Sequence, residues 1–153
     1  MPELPEVDSY RTGLAPTMIG WKIKGGKALW KNASDADFSS IINQKITGFD
    51  RRGKYLIINL DKNNIIIHLR MTGRIDLTKD ETPKYTTVQF DFYDNNRMCL
   101  VDYRKFGKVW IVKNVENIIG HLGIEPLSKQ FTSKKFELMI EKRTGTLNPL
   151  LLN

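Results

Sequence analysis

The chain has 153 residues, 41% of them hydrophobic and 10% aromatic, which suits one folded domain with a sizeable core and excludes a disordered chain. Its 24 Lys plus Arg outweigh 17 Asp plus Glu, leaving a net charge of +7, a field that attracts polyanions, of which nucleic acid is the commonest. One cysteine and two histidines exclude an internal disulfide and a self-contained Cys/His zinc site, and no apolar run reaches the roughly 20 residues that span a bilayer.

The first expected element is a helix over residues 5–15, PEVDSYRTGLA. Pro5 suits the first helical position, Val7, Tyr10 and Leu14 fall on one face, and Gly13 weakens the pattern. A run over 21–30 reads as strand, and a short helix is expected after Ser34, with Ser34 as N-cap and Asp37 in its first turn. Further strand-like runs occupy 45–50, 54–60, 64–71, 86–93, 97–103 and 108–112, rich in Ile, Val and aromatics. Asp61–Asn64 and Asp94–Asn96 supply turn residues between them. Some seven short strands with tight turns predict a mainly β fold, an antiparallel sandwich or flattened barrel with flanking helices. Cys99, in MCLV, reads as an inert core thiol in a reducing compartment. After residue 114, VENIIGHLGIEPL and SKKFELMIEKR look helical, and the chain ends on TLNPLLLN without a helix stop signal. No secretory leader is recognised.

MPELPEV carries the chemistry. Removal of Met1, which a small second residue generally permits, exposes Pro2 as a free secondary amine. Such an amine titrates at about 7.7–8.0 or lower, so part of it is nucleophilic at neutral pH. Adding to an aldehyde, it forms an iminium rather than a neutral imine. That cation acidifies the adjacent carbon and favours loss of a β-phosphate. Glu3 and Glu6 are placed to shuttle the protons that ring opening and elimination need. Read structurally, the same residues only stiffen a helix start and favour its positive end.

MPELPEV, RRGKYL at 51–56, HLRMTG at 68–73, DYRKFGKV at 102–109 and LGIEPL at 122–127 follow in this order. Together they closely resemble the amino-terminal half of the formamidopyrimidine-DNA glycosylase family, bifunctional enzymes that excise oxidised purines such as formamidopyrimidine and 8-oxoguanine and cut at the abasic site. PELP, rather than the PEGP of the related endonuclease VIII branch, points to the oxidised-purine branch. The resemblance implies a two-sheet antiparallel β-sandwich preceded by a catalytic amino-terminal helix, with double-stranded DNA carrying oxidised purines or abasic sites as partner. It also implies a bacterial cytoplasmic protein working at the nucleoid.

By the same resemblance Pro2 is the nucleophile at C1′, and Glu3 the acid acting on the opening sugar. Glu6 supports the helix end, while Lys54 and His68 bind phosphates. Met71, Arg104 and Phe106 enter the duplex when the lesion is flipped out. An apolar Met fills the gap, Phe wedges a step and Arg meets the orphaned opposite base. Lys105 contacts the DNA backbone. Taken singly, the cations also suit a solvated surface, Met71 and Phe106 a core, and His68 a structural histidine.

Asp8 stands where the family more usually has glutamate, and Ser9-Tyr10-Arg11 where it has a more basic turn. Residues 1–130 are expected to form the catalytic domain. Residues 131–153 are expected to open a helix–two-turn–helix domain that is cut short, before the zinc finger of full-length members. No cofactor is therefore expected in this chain, whose activity alone is expected to be weak or absent. Two other classes fit parts of the sequence. A non-catalytic DNA-binding or interaction module keeps the sandwich. An amino-terminal-proline tautomerase also uses an exposed proline, but there the proline leads into a strand, and RKFG and the charge go unexplained.

Overall fold

The computed structural model describes residues 4–120, with side chains from residue 7 onward. Pro2, Glu3, the side chain of Glu6, LGIEPL and the expected second-domain start at 131–153 lie outside those residues, as do the helices expected beyond residue 120.

Helix α1 spans Leu4–Met18, three residues beyond the expected end at 15. The extension has a packing cause: Met18 is fully buried beside Val7 in the core, with Tyr10 and Leu14 against it. Pro16 sits inside the helix, and Gly20, at φ 97°, ends it in the left-handed conformation that glycine adopts at little cost.

The remaining chain forms two four-stranded antiparallel sheets. The first contains β1 (Ile23–Ala28), β5 (Arg74–Lys79), β6 (Thr86–Phe92) and β7 (Asn96–Val101) in the order β1-β6-β7-β5. The second runs β2-β3-β4-β8, from β2 (Ile46–Arg52), β3 (Tyr55–Leu60), β4 (Asn64–His68) and β8 (Lys108–Val112). The two-sheet sandwich with an amino-terminal helix is as expected. Seven strands match the expected runs to within a few residues. β5, RIDLTK, was not among them, because only Ile75 and Leu77 of its six residues mark an apolar face. The helix expected after Ser34 is instead a single 3-10 turn, Phe38–Ile41, capped by Asp37, whose carboxylate accepts from the Ser39 N–H at 3.1 Å. Ser34 is not the cap; its hydroxyl oxygen accepts from the Ala36 N–H at 3.2 Å.

The core lies between the sheets. Strand alternation sends Leu56, Ile58, Ile65, Ile67 and Val109 inward to meet Val88, Phe90 and Leu100. Cys99 is buried, and burial pushes its thiol pKa up, which fits the inert thiol expected. On the other face of the second sheet, Ile57 and Ile66 pack beneath Ile119 of helix α2 (Glu116–Ile119), with Tyr55 and Trp110 beside them. By the same alternation His68 shares that outer face with Ile66, at the strand's last position.

Candidate nucleic-acid interface

Three separate stretches of sequence converge at one end of the sandwich. The β2–β3 turn, at Gly53 (φ 59°), carries Lys54. The segment after β4 carries His68, Arg70 and Met71. The loop from Asp102 to Gly107, between β7 and β8, carries Arg104, Lys105 and Phe106. The pairing of Tyr55 with His68, and of His68 with Lys108, sets the first two beside the third.

His68 is held from both sides. The Tyr55 ring meets its imidazole edge-on, with centroids 4.7 Å apart and planes at 82°. The Arg70 N–H donates to its Nδ1 at 3.1 Å. Burial first, then the Arg70 and Lys54 cations, push its pKa down from 6.5 to about 4. The ring is therefore neutral at physiological pH, and because Nδ1 accepts, the proton is on Nε2, which stays a donor.

The turn that follows is tight. Arg70 adopts φ 58°, and the Gly73 N–H donates to the Leu69 carbonyl at 3.1 Å. A Cβ on Gly73 would come within 2.7 Å of that carbonyl oxygen, so glycine is required there. The turn leaves Met71 46% exposed. Arg70 Nε is buried without a hydrogen-bond partner, the kind of donor that an anionic ligand satisfies.

Asp102 organises the third segment. Its carboxylate is fully buried, and it accepts from the Gly107 N–H at 2.7 Å, from the Arg104 N–H at 3.2 Å and from the Thr72 hydroxyl. The Lys105 N–H donates to the Asp102 carbonyl at 3.1 Å, with Lys105 itself at φ 63°. Thr72 belongs to the His68–Gly73 segment, so one carboxylate ties the two loops together. Phe106 is consequently 47% exposed, with the Arg104 guanidinium 5.2 Å from its ring centroid.

These side chains line one open groove of about 760 Å³, bordered by Trp30, Asn32, His68, Arg70, Met71, Arg104, Lys105, Phe106 and Lys108. Two exposed apolar probes stand among cations, an arrangement suited to a charged, stacked polymer. The structure thus brings His68, Met71, Arg104, Lys105 and Phe106 together, with Lys54 close enough to act on His68 electrostatically.

Helix α1 is fastened to the same end. Asp8 pairs with Arg11 at 2.7 Å and with the nearly buried Arg51 at 3.5 Å. Arg51 Nη1 donates to the Gly53 carbonyl at 3.0 Å, and Tyr10 Oη accepts from the Ile75 N–H at 3.4 Å. The helix that follows MPE is thereby tied to the turn holding Lys54.

Sequence reasoning missed Trp30, Arg70, Thr72 and Asp102. An Asp followed five residues later by Gly, in a polar loop between apolar runs, is a legible signal for a carboxylate that caps its own loop. Nothing in the sequence around Trp30 marks it. Among the described residues no group of three or more His, Cys, Asp or Glu could hold a metal ion. No described helix is long and apolar enough to cross a membrane.

Comparison with known proteins bears on the same residues. The profile of the formamidopyrimidine-DNA glycosylase N-terminal domain matches residues 1–109. The chain is 40% identical over 162 aligned positions to the formamidopyrimidine-DNA glycosylase of Protochlamydia amoebophila and 34% identical over 164 to that of Latilactobacillus sakei. Each alignment covers all of this chain and 59% of the relative, so the chain spans about three-fifths of the length of those proteins. Among solved structures, the Lactococcus lactis formamidopyrimidine-DNA glycosylase bound non-covalently to abasic-site DNA superposes with a TM-score of 0.74 at 27% identity, over 83% of this chain and 52% of that one. The same species' enzyme in complex with abasic-site DNA gives 0.73 at 28% identity, over 94% and 56%. The chain belongs to the formamidopyrimidine-DNA glycosylase family and corresponds to its N-terminal domain.

Proposed function

We propose that this chain is the catalytic part of a DNA glycosylase with abasic-site lyase activity, acting on oxidised purines in duplex DNA in a bacterial cytoplasm. The observation that carries the reading is the groove in which exposed Met71 and Phe106 stand among His68, Arg70, Arg104 and Lys105. Neutral His68 offers a hydrogen bond to a phosphate from Nε2, and Lys54 and Lys105 offer charge. Met71 and Phe106 take the space of an extruded nucleotide, and Arg104 meets the base left without a partner. Unstacking costs a few kcal/mol, which these contacts offset.

The chemistry falls to the amino terminus. Pro2 nitrogen, freed of Met1, attacks C1′ of the damaged nucleotide, and the bond to the base breaks as the base leaves with a proton. Glu3 protonates the ring oxygen as the sugar opens, giving an iminium. Loss of a proton from C2′ then expels the 3′-phosphate, and a second elimination expels the 5′-phosphate. Glu6 supports the helix end beside this site.

These 153 residues span about three-fifths of the length of those relatives, and DNA binding by them alone is expected to be weak and, running through phosphates, strongly salt-dependent. The test uses a duplex with one abasic site and protein shown by mass spectrometry to begin at Pro2. Strand scission with phosphate at both new ends, lost from protein that retains Met1 and so holds the Pro2 nitrogen in an amide, supports the proposal. Scission equal in the two proteins refutes it. Duplex binding with no scission at any concentration favours the non-catalytic module.

A further inference from the structure

Trp30 is the one tryptophan of three that packs into neither apolar cluster: Trp21 and Trp110 both do. It stays 38% exposed at the rim of the groove, where burial does not account for a residue of that size. What it touches is Lys105, whose Nζ lies 4.5 Å from the ring centroid, well within the range of a cation–π contact. Both partners are built into place. The N–H groups of Leu29 and Trp30 donate to the Thr87 carbonyl at 2.7 and 3.1 Å, fixing the indole's backbone to the first sheet. The 3-10 turn that follows, Lys31–Ala33, buries Ala33 and is pinned from the far side, where Lys108 Nζ donates to the Asn32 carbonyl at 2.9 Å. Across the groove, the Asp102 network holds the backbone of Lys105.

We infer that Trp30 is a positioning residue for Lys105, its indole face holding the lysine ammonium where the groove meets a DNA phosphate. This rests on the DNA reading above. A free lysine side chain loses rotamer freedom when it is fixed. An ammonium already resting on an aromatic face has lost part of it before the phosphate arrives, and that preorganisation appears as affinity. The indole also leaves the remaining N–H donors of the ammonium open to the groove.

The test is a double-mutant cycle on duplex binding. Fluorescence anisotropy of a labelled abasic-site duplex is followed across about 20–200 mM salt, where the slope of log Kd against log salt counts phosphates engaged. Lys105→Met should weaken binding and lower the slope by about one contact. Trp30→Ala and Trp30→Leu should each weaken binding about 2- to 5-fold, the range of an exposed cation–π contact, and move the slope the same way. Trp30→Phe, which keeps an aromatic face, should recover most of the loss. The double variant Trp30→Leu/Lys105→Met should bind no worse than Lys105→Met alone. Urea midpoints confirm folding, and Trp30→Leu, which keeps the bulk, serves where Trp30→Ala does not fold. Additive losses, or a Trp30→Leu slope equal to that of the unaltered chain, overturn the inference and leave the DNA reading intact. An unchanged affinity and slope in Lys105→Met, or no duplex binding by the unaltered chain, overturns the DNA reading as well.

Discussion

Replacing Asp102 by alanine tests whether the two groove loops depend on one buried carboxylate. The side chain accepts three hydrogen bonds, from the Gly107 and Arg104 N–H groups and the Thr72 hydroxyl. A hydrogen bond to a charged acceptor contributes about 1.5–3 kcal/mol net, and a donor left buried and unpaired costs about 1–3. The Gly107 bond is buried, whereas those from Arg104 and Thr72 are only partly so, and water can replace the carboxylate for them at modest cost. Counting the first in full and the others at about half gives a loss of about 3–6 kcal/mol. Asp102→Asn keeps the shape and one acceptor oxygen but turns an NH2 group toward a donor, for about 1–2 kcal/mol. Urea unfolding followed by circular dichroism measures both: the midpoint should fall with the m-value unchanged. Duplex affinity should fall further than the midpoint implies, since Met71, Arg104 and Phe106 lose their common support. A loss below about 1 kcal/mol for the alanine variant, with duplex affinity retained, would refute the argument.

Three further outcomes follow from the same geometry. His68 has its folded-state pKa below its unfolded value, about 4 against 6.5. The unfolded chain therefore binds the extra proton in that window, and stability falls as pH drops from 6.5 toward 4, by about 1–2 kcal/mol once partial solvent screening is allowed for. His68→Gln should flatten that part of the stability–pH curve. Gly107→Ala puts a Cβ 3.2 Å from Asp102 Oδ2 and 3.3 Å from the His68 carbonyl oxygen. It should lower stability by about 1–3 kcal/mol, read as a urea midpoint, and weaken duplex binding. Asp8→Asn removes the carboxylate facing the nearly buried Arg51. It should cost about 1–2 kcal/mol in the same assay, and a change within experimental error would show that the helix is held by its apolar face alone.

The sheets were legible because their runs are long and β-branched: Leu56 to Leu60 and Ile65 to Ile67 need no context to read as buried strand. Arg74–Lys79 was not legible. A strand with two apolar side chains depends on pairing with Asn96–Val101, a non-local contact that propensity does not report. Helix α1 outran its estimate for a similar reason, since the burial of Met18 outweighs Gly13 and Pro16. In the groove, residue types announced the probes, and the resemblance of their motifs supplied their roles. What holds them was legible only in part. The Asp102–Gly107 spacing signals a carboxylate that caps its own loop, but only the fold reveals that the same carboxylate also takes the Thr72 hydroxyl. Trp30 lies 75 positions from Lys105 in the sequence, and nothing local connects them.

The most direct measurement is peptide mapping of the adduct trapped by borohydride when Met1-free protein is incubated with an abasic-site duplex. Reduction of a proline iminium fixes the sugar to the amino-terminal nitrogen, so the account predicts a DNA-linked peptide beginning at Pro2, in low yield, and none when Met1 is retained. A trapped adduct on a lysine side chain, or none from protein proven to start at Pro2, would contradict it.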